Sequence, residues 1–148
     1  MNPDLDLTLQ RVIRAPRAAV WRAWTEPSQL EQWWVPAPAV ARVDRLEARP
    51  GGAFVTRISE DGVEFGPHMD ASFLLVDDGE RLVFTNTVDS RWRPTRPDPI
   101  AMVGTDYQVG VCHDDPAARA RHEELGFFDG WGSVTGQLTA FVEGAPFR

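Results

Sequence analysis

The side chains in this chain that could do chemistry are few: the histidines His68, His113 and His122, one cysteine, Cys112, and scattered carboxylates. His68 with Asp70 would serve as general acid and base where both face a cavity. Thr85 and Asp89 would join them in moving protons on a held molecule, provided that all four point inward together. His113 with Asp114 offers a second imidazole–carboxylate pair, but capping and solvation account for it at the junction of a strand and a helix. His122-Glu123-Glu124-Leu125 begins like a zinc-binding helix, yet Gly126 stands where the second histidine is required. The three histidines fall on segments that a strand reading does not bring together, so no metal and no cofactor is expected.

Other signals weaken on inspection. Gly130-Trp131-Gly132-Ser133-Val134-Thr135-Gly136 approaches a glycine-rich phosphate loop, but its last spacing is one residue too long and no strand precedes it. Ser133 also lacks the glycine two residues before it that a nucleophile elbow requires. Cys112 has no lysine or arginine beside it to lower its pKa, which suits an inert thiol. Arg91-Trp92-Arg93 is a basic aromatic cluster, read as a solvated loop or as a ligand contact. No convincing catalytic constellation emerges, and non-enzymatic binding is favoured.

The elements that must position these residues follow from periodicity. Leu5, Leu7, Leu9, Arg11 and Ile13 alternate with their neighbours at the period of a strand. Pro16 then opens a helix with Val20, Trp21 and Trp24 on one face, and Pro27 opens another that ends before Pro36. These two short helices carry four of the six tryptophans. At roughly 200 Å² per tryptophan, such surface must be buried against something larger, a sheet. Strands are predicted from Val40 to Glu47, Ala53 to Ser59, His68 to Val76, Leu82 to Val88 and Tyr107 to Cys112, separated by Pro50-Gly51-Gly52, Glu60-Asp61-Gly62 and Asp77-Asp78-Gly79-Glu80. Asp115 caps a final helix with Pro116 at its first position. Gly126 interrupts its pattern, but Phe128, Trp131, Val134, Leu138 and Phe141 continue an apolar stripe, so one long helix is expected.

The predicted fold is α+β: a curved antiparallel sheet wrapped around a long C-terminal helix, with two short helices after the first strand. A length of 148 residues suits a single domain, residues 1–148, able to bury a core without disulfides. The single cysteine and the absence of a secretory apolar block point to the cytoplasm. A formal net charge of −7 disfavours nucleic acid and anionic membranes, and no apolar run is long enough for membrane insertion. Neutral, apolar or cationic partners are expected.

Ala15-Pro16, Val20-Trp21-Arg22-Ala23-Trp24-Thr25, Leu30 with Gln32-Trp33-Trp34, Pro50-Gly51-Gly52, Arg81-Leu82-Val83-Phe84-Thr85, and Glu123-Glu124-Leu125-Gly126-Phe127 leading to Gly130-Trp131-Gly132 occur in this order over nearly the whole chain. Together they resemble the SRPBCC or START-like superfamily with its helix-grip fold, in the group similar to the activator of the ninety-kilodalton heat-shock chaperone's ATPase. The resemblance implies a hydrophobic small-molecule ligand, lipid- or polyketide-like, held between sheet and C-terminal helix by a carrier, sensor or sequestering protein. Cyclase- or aromatase-like catalysis in the same cavity and regulation of a chaperone ATPase are the alternatives. Chaperone contact is not expected, because eukaryotic activators carry a further N-terminal domain for which this chain has no room. A homodimer is compatible with the reading.

The chain departs from the group's pattern at one strand. Pro94, Pro97 and Pro99 allow the penultimate strand to start no earlier than Ile100, and it gives out by Thr105, roughly ten residues short of a full strand and hairpin. The expected pocket walls are Trp33, Trp34, Phe54, Met69, Phe73, Phe84, Trp92, Phe128, Trp131, Val134 and Leu138.

Overall fold

The computed structural model describes residues 2–95, 100–104 and 107–144. Pro97, Pro99 and Thr105 lie outside them. The elements are β1 (Asp6–Gln10), α1 (Arg17–Thr25), α2 (Pro27–Leu30), β2 (Val40–Leu46), β3 (Ala53–Ser59), β4 (Gly66–Asp77), β5 (Arg81–Thr85), β6 (Ile100–Gly104), β7 (Gln108–Cys112), α3 (Pro116–Glu124) and α4 (Phe127–Glu143). The strands form one sheet in the order β1-β7-β6-β5-β4-β3-β2. Each pairing is antiparallel. From β2 to β7 the chain meanders strand by strand, as close spacing and tight turns require. Because β1 pairs with β7 at one edge while β2 forms the other, α1 and α2 carry the chain from edge to edge. Among the described residues, no helix is long and apolar enough to cross a membrane.

The penultimate strand does begin at Ile100, and it pairs with β5 and β7 over its whole length. Elsewhere the boundaries shift. β1 ends at Gln10, and Val12 is left exposed. α2 ends at Leu30, so Trp33 and Trp34 sit in the turn after the helix rather than within it. β5 stops at Thr85 because the next residues fold back on themselves. There the Asp89 carboxylate accepts the backbone N–H groups of Arg91 and Arg93 at 2.9 and 3.0 Å.

The expected long C-terminal helix is two helices. Gly126 adopts φ +98°, the left-handed region open to glycine, and breaks the chain between α3 and α4. Asp115 caps α3 as predicted, its carboxylate accepting the Ala118 N–H at 2.7 Å. The break also resets the buried stripe. Phe127 faces inward and is buried, while Phe128 is 47% exposed.

The core lies where the tryptophan turn meets the sheet. Trp24 packs edge-on against Trp33 and Trp34, with ring centroids 4.8 and 5.4 Å away. Trp34 in turn touches Phe54 at 5.4 Å, and Phe54 stacks on Phe73 at 5.3 Å. Fully burying one such ring removes about 5 kcal/mol worth of apolar surface from water, as an upper bound.

Candidate functional site

The interior is not filled throughout. A cavity of about 390 Å³ opens where α3 and α4 cross the sheet, walled by Trp34, Met69, Phe84, Val111, Phe127, Trp131 and Val134. Pro36, Leu125, Gly126 and Gly130 complete its apolar lining, and His68, Asn86 and His122 are its hydrogen-bonding side chains.

His68 reaches this cavity through an irregularity in the sheet. β3 and β4 pair as Phe54↔Ala71 and Thr56↔Met69, but beyond that point Arg57 pairs with Pro67, which leaves His68 as an extra residue. A bulge of this kind suspends alternation, so His68 and Met69 both line the cavity. Thr56 lies between two of its neighbours. Its Oγ1 accepts the Trp34 indole N–H at 3.2 Å and lies 2.9 Å from His68 Nδ1. The His68 ring also meets Trp34 edge-on at 6.1 Å. His68 is exposed overall while its ring packs on Trp34, and desolvation lowers its pKa from 6.5.

Asp70 does not join His68. In the regular ladder it pairs with Val55, between the inward pairs at Phe54 and Thr56, and so projects from the opposite face of the sheet. There its carboxylate accepts the Ser90 N–H at 2.7 Å. Thr85 and Asp89 belong to that same outer side. Thr85 hydrogen-bonds Thr87, and Ser72, its partner across the ladder, donates to the Asp89 carbonyl at 2.8 Å. The Asp89 carboxylate is held below the usual carboxylate range by the backbone N–H and guanidinium of Arg93, which is 2.7 Å away. The four polar groups therefore do not converge, and the sheet separates His68 from the other three.

Two other histidines do come together, against expectation. His113 directly follows β7 and His122 lies on α3, yet His113 Nε2 is 2.9 Å from His122 Nδ1. The strand-to-helix corner between them is short enough to fold α3 back over the strand end. His113 Nδ1 lies 2.7 Å from the Leu5 carbonyl. A carbonyl only accepts, so Nδ1 carries the proton, and Nε2 is left to share a hydrogen bond with His122 Nδ1. Among the described residues, no three histidine, cysteine or acidic side chains are grouped to hold a metal ion.

The expected pocket residues divide three ways. Trp34, Met69, Phe84, Trp131 and Val134 line the cavity. Trp33, Phe54, Phe73 and Leu138 are packed solid in the core, each at most 1% exposed. Trp92 and Phe128 stand away from it, roughly half exposed, and the Trp92 indole N–H is spent on the Gly51 carbonyl at 3.1 Å. Cys112 is partly buried, and burial together with nearby Asp6 raises its pKa.

The alternation Phe54-Val55-Thr56 already put Thr56 on the face of Phe54, and Asn86 likewise falls on the face of Phe84. Alternation thus makes legible both Asn86, which lines the cavity, and Thr56, which stands behind His68. Val111, Phe127 and His122 are not legible in this way, since their roles depend on how α3 and α4 are set against the sheet.

A curved antiparallel sheet closed by a C-terminal helix, with a lined hollow between them, defines a START-like domain of the helix-grip kind. The family model described as "Activator of Hsp90 ATPase homolog 1-like protein" matches residues 14–143, and the chain belongs to that family. Protein NE0264 from Nitrosomonas europaea, known from a crystal structure, is 33% identical with a TM-score of 0.84, and 97% of each chain is covered. Protein Ms6760 from Mycobacterium smegmatis shares the fold at 19% identity and a TM-score of 0.75, covering 97% of this chain and 94% of its own. An AHSA1-like protein from Aeromonas hydrophila does so at 19% identity and a TM-score of 0.63, with 95% and 93% covered. No curated protein matches the chain.

Proposed function

We propose that this domain binds an apolar or aromatic small molecule in the cavity between sheet and terminal helices, as a carrier, sensor or sequestering protein. The observation that carries the reading is the hollow itself. A space of about 390 Å³ walled by Trp34, Phe84 and Trp131 lies in the range of small-molecule sites, roughly 300 to 1,000 Å³. Its walls are apolar, and its few polar side chains suit orienting a guest more than breaking its bonds.

The test is equilibrium binding. A panel of lipids, polyketides and polycyclic aromatics is screened by thermal shift, with native mass spectrometry of the freshly purified protein for copurifying ligands. At least one class is expected to raise the melting temperature, and Trp131→Ala is expected to abolish that rise. A flat response across the panel with no copurifying species would end the reading.

A further inference from the structure

Three hydrogen-bonding groups in series lead from the core to the cavity mouth, and their chemistry settles where a proton sits. The Trp34 indole only donates, so Thr56 Oγ1 is the acceptor at 3.2 Å. Thr56 is 1% exposed, and its own hydroxyl proton still needs an acceptor. His68 Nδ1, at 2.9 Å, is the group placed to take it. The reverse arrangement, with Nδ1–H donating to Thr56, would give the oxygen two incoming protons and orphan a buried hydroxyl. Nδ1 is therefore the bare nitrogen. In a neutral imidazole the proton must then lie on Nε2, across the ring from Thr56, and His68 is one of the residues that line the cavity.

We propose that His68 is a specificity-determining residue whose Nε2–H selects an apolar ring compound carrying a hydrogen-bond-accepting oxygen, such as an aryl ketone. The proposal rests on the cavity-binding reading above and adds to it the polarity and orientation of the guest. Trp34, Phe84 and Val111 take the apolar body, and the oxygen sits at the mouth beside His68. Thr56 acts as a positioning residue: it touches no ligand but holds the imidazole in the donor tautomer.

The experiment compares 2-acetylnaphthalene with 2-isopropenylnaphthalene, matched in shape but differing in the accepting oxygen, by isothermal titration calorimetry. Wild type is expected to favour the ketone by roughly five- to tenfold, the worth of one net hydrogen bond. His68→Phe should bind both equally, Thr56→Val should lose most of the preference, and Thr56→Ser should keep it. Imidazole ¹⁵N spectra of wild type, which need no ligand or variant, should show His68 protonated at Nε2 and bare at Nδ1. Binding of both compounds without discrimination, a preference that survives His68→Phe, or a proton found on Nδ1 would each overturn the proposal while leaving the cavity reading intact. Failure of wild type to bind either compound or any member of the wider panel would remove both.

Discussion

His113 Nε2 lies 2.9 Å from His122 Nδ1, which clasps the end of β7 to α3. His113 is only 8% exposed, so its nitrogen has little water to fall back on. Replacing His122 with leucine strands that nitrogen. We expect a loss of about 1–3 kcal/mol, the cost of a buried group left unpaired. Urea titration checks it, and a double-mutant cycle with His113→Phe should return a coupling of about 1 kcal/mol. Zero coupling would mean that the two rings are neighbours without being partners.

Two tryptophans separate core from wall. Trp33 is fully buried, and its indole N–H donates to the Ala23 carbonyl at 3.1 Å. Trp33→Ala should cost about 3–5 kcal/mol. Trp131 lines the cavity and touches Trp34 edge-on at 5.9 Å. With an empty space already beside it, Trp131→Ala should cost on the order of 1–2 kcal/mol. Equal losses in chemical denaturation would show that Trp131 is packing, not lining.

The lowered pKa of His68 makes a signed prediction about pH. The unfolded chain takes up its proton near 6.5, the folded chain only at lower pH. Between those values the unfolded state binds more protons, so stability rises with pH there and levels off above the unfolded value. His68→Gln should remove this part of the slope, making the variant less acid-sensitive than wild type, with no such difference above about pH 7.5. Melting temperatures measured from pH 5 to 8 decide the matter, and parallel curves for the two proteins would refute it.

Glycine positions differ in kind. A Cβ on Gly52 would fall 2.0 Å from the Glu47 carbonyl oxygen and 2.9 Å from that of Arg49. Gly79 has φ +73° with open space around it. Gly79→Ala should cost about 1–2 kcal/mol, the penalty of a left-handed backbone. Gly52→Ala should cost about 1–3 kcal/mol beyond that, because backbone has to move. The order of the two midpoints in urea is the readout, and the reverse order would contradict the close approach.

Much of the sheet could be read from the chain, and the reasons show where reading stops. Ala53 to Ser59 was bounded correctly because Gly52 and Gly62 punctuate it and its alternation is unbroken. Alternation becomes a poor guide at a bulge, whose extra residue leaves no trace in composition. His68 and Asp70, two apart, looked like neighbours on one face, yet the shift at Thr56/Arg57 put them on opposite sides. The terminal helix failed for a related reason. A stripe through Phe128 continues at spacings of three and four only if the helix runs unbroken, and the positive φ of Gly126 resets the phase so that Phe127 turns inward. The clasp between His113 and His122 depends on the angle at which α3 returns over β7, a tertiary quantity that local spacing does not encode.

Gln137, on α4, is bonded three times to the turn that carries the tryptophans. Its amide N–H groups reach the carbonyls of Trp33 and Val35 at 2.9 and 2.7 Å, and its oxygen takes the Ala37 N–H at 2.7 Å. That part of the helix is moored, and shifting it would drag Trp34 along. Among the described residues the Gly126 end shows no comparable tether to the turn, and Leu125, 86% exposed, stands on its doorstep. On the cavity-binding reading, a guest is expected to enter by the gangway beside the joint of the two terminal helices, and cross-linking that joint should slow loading without altering the berth.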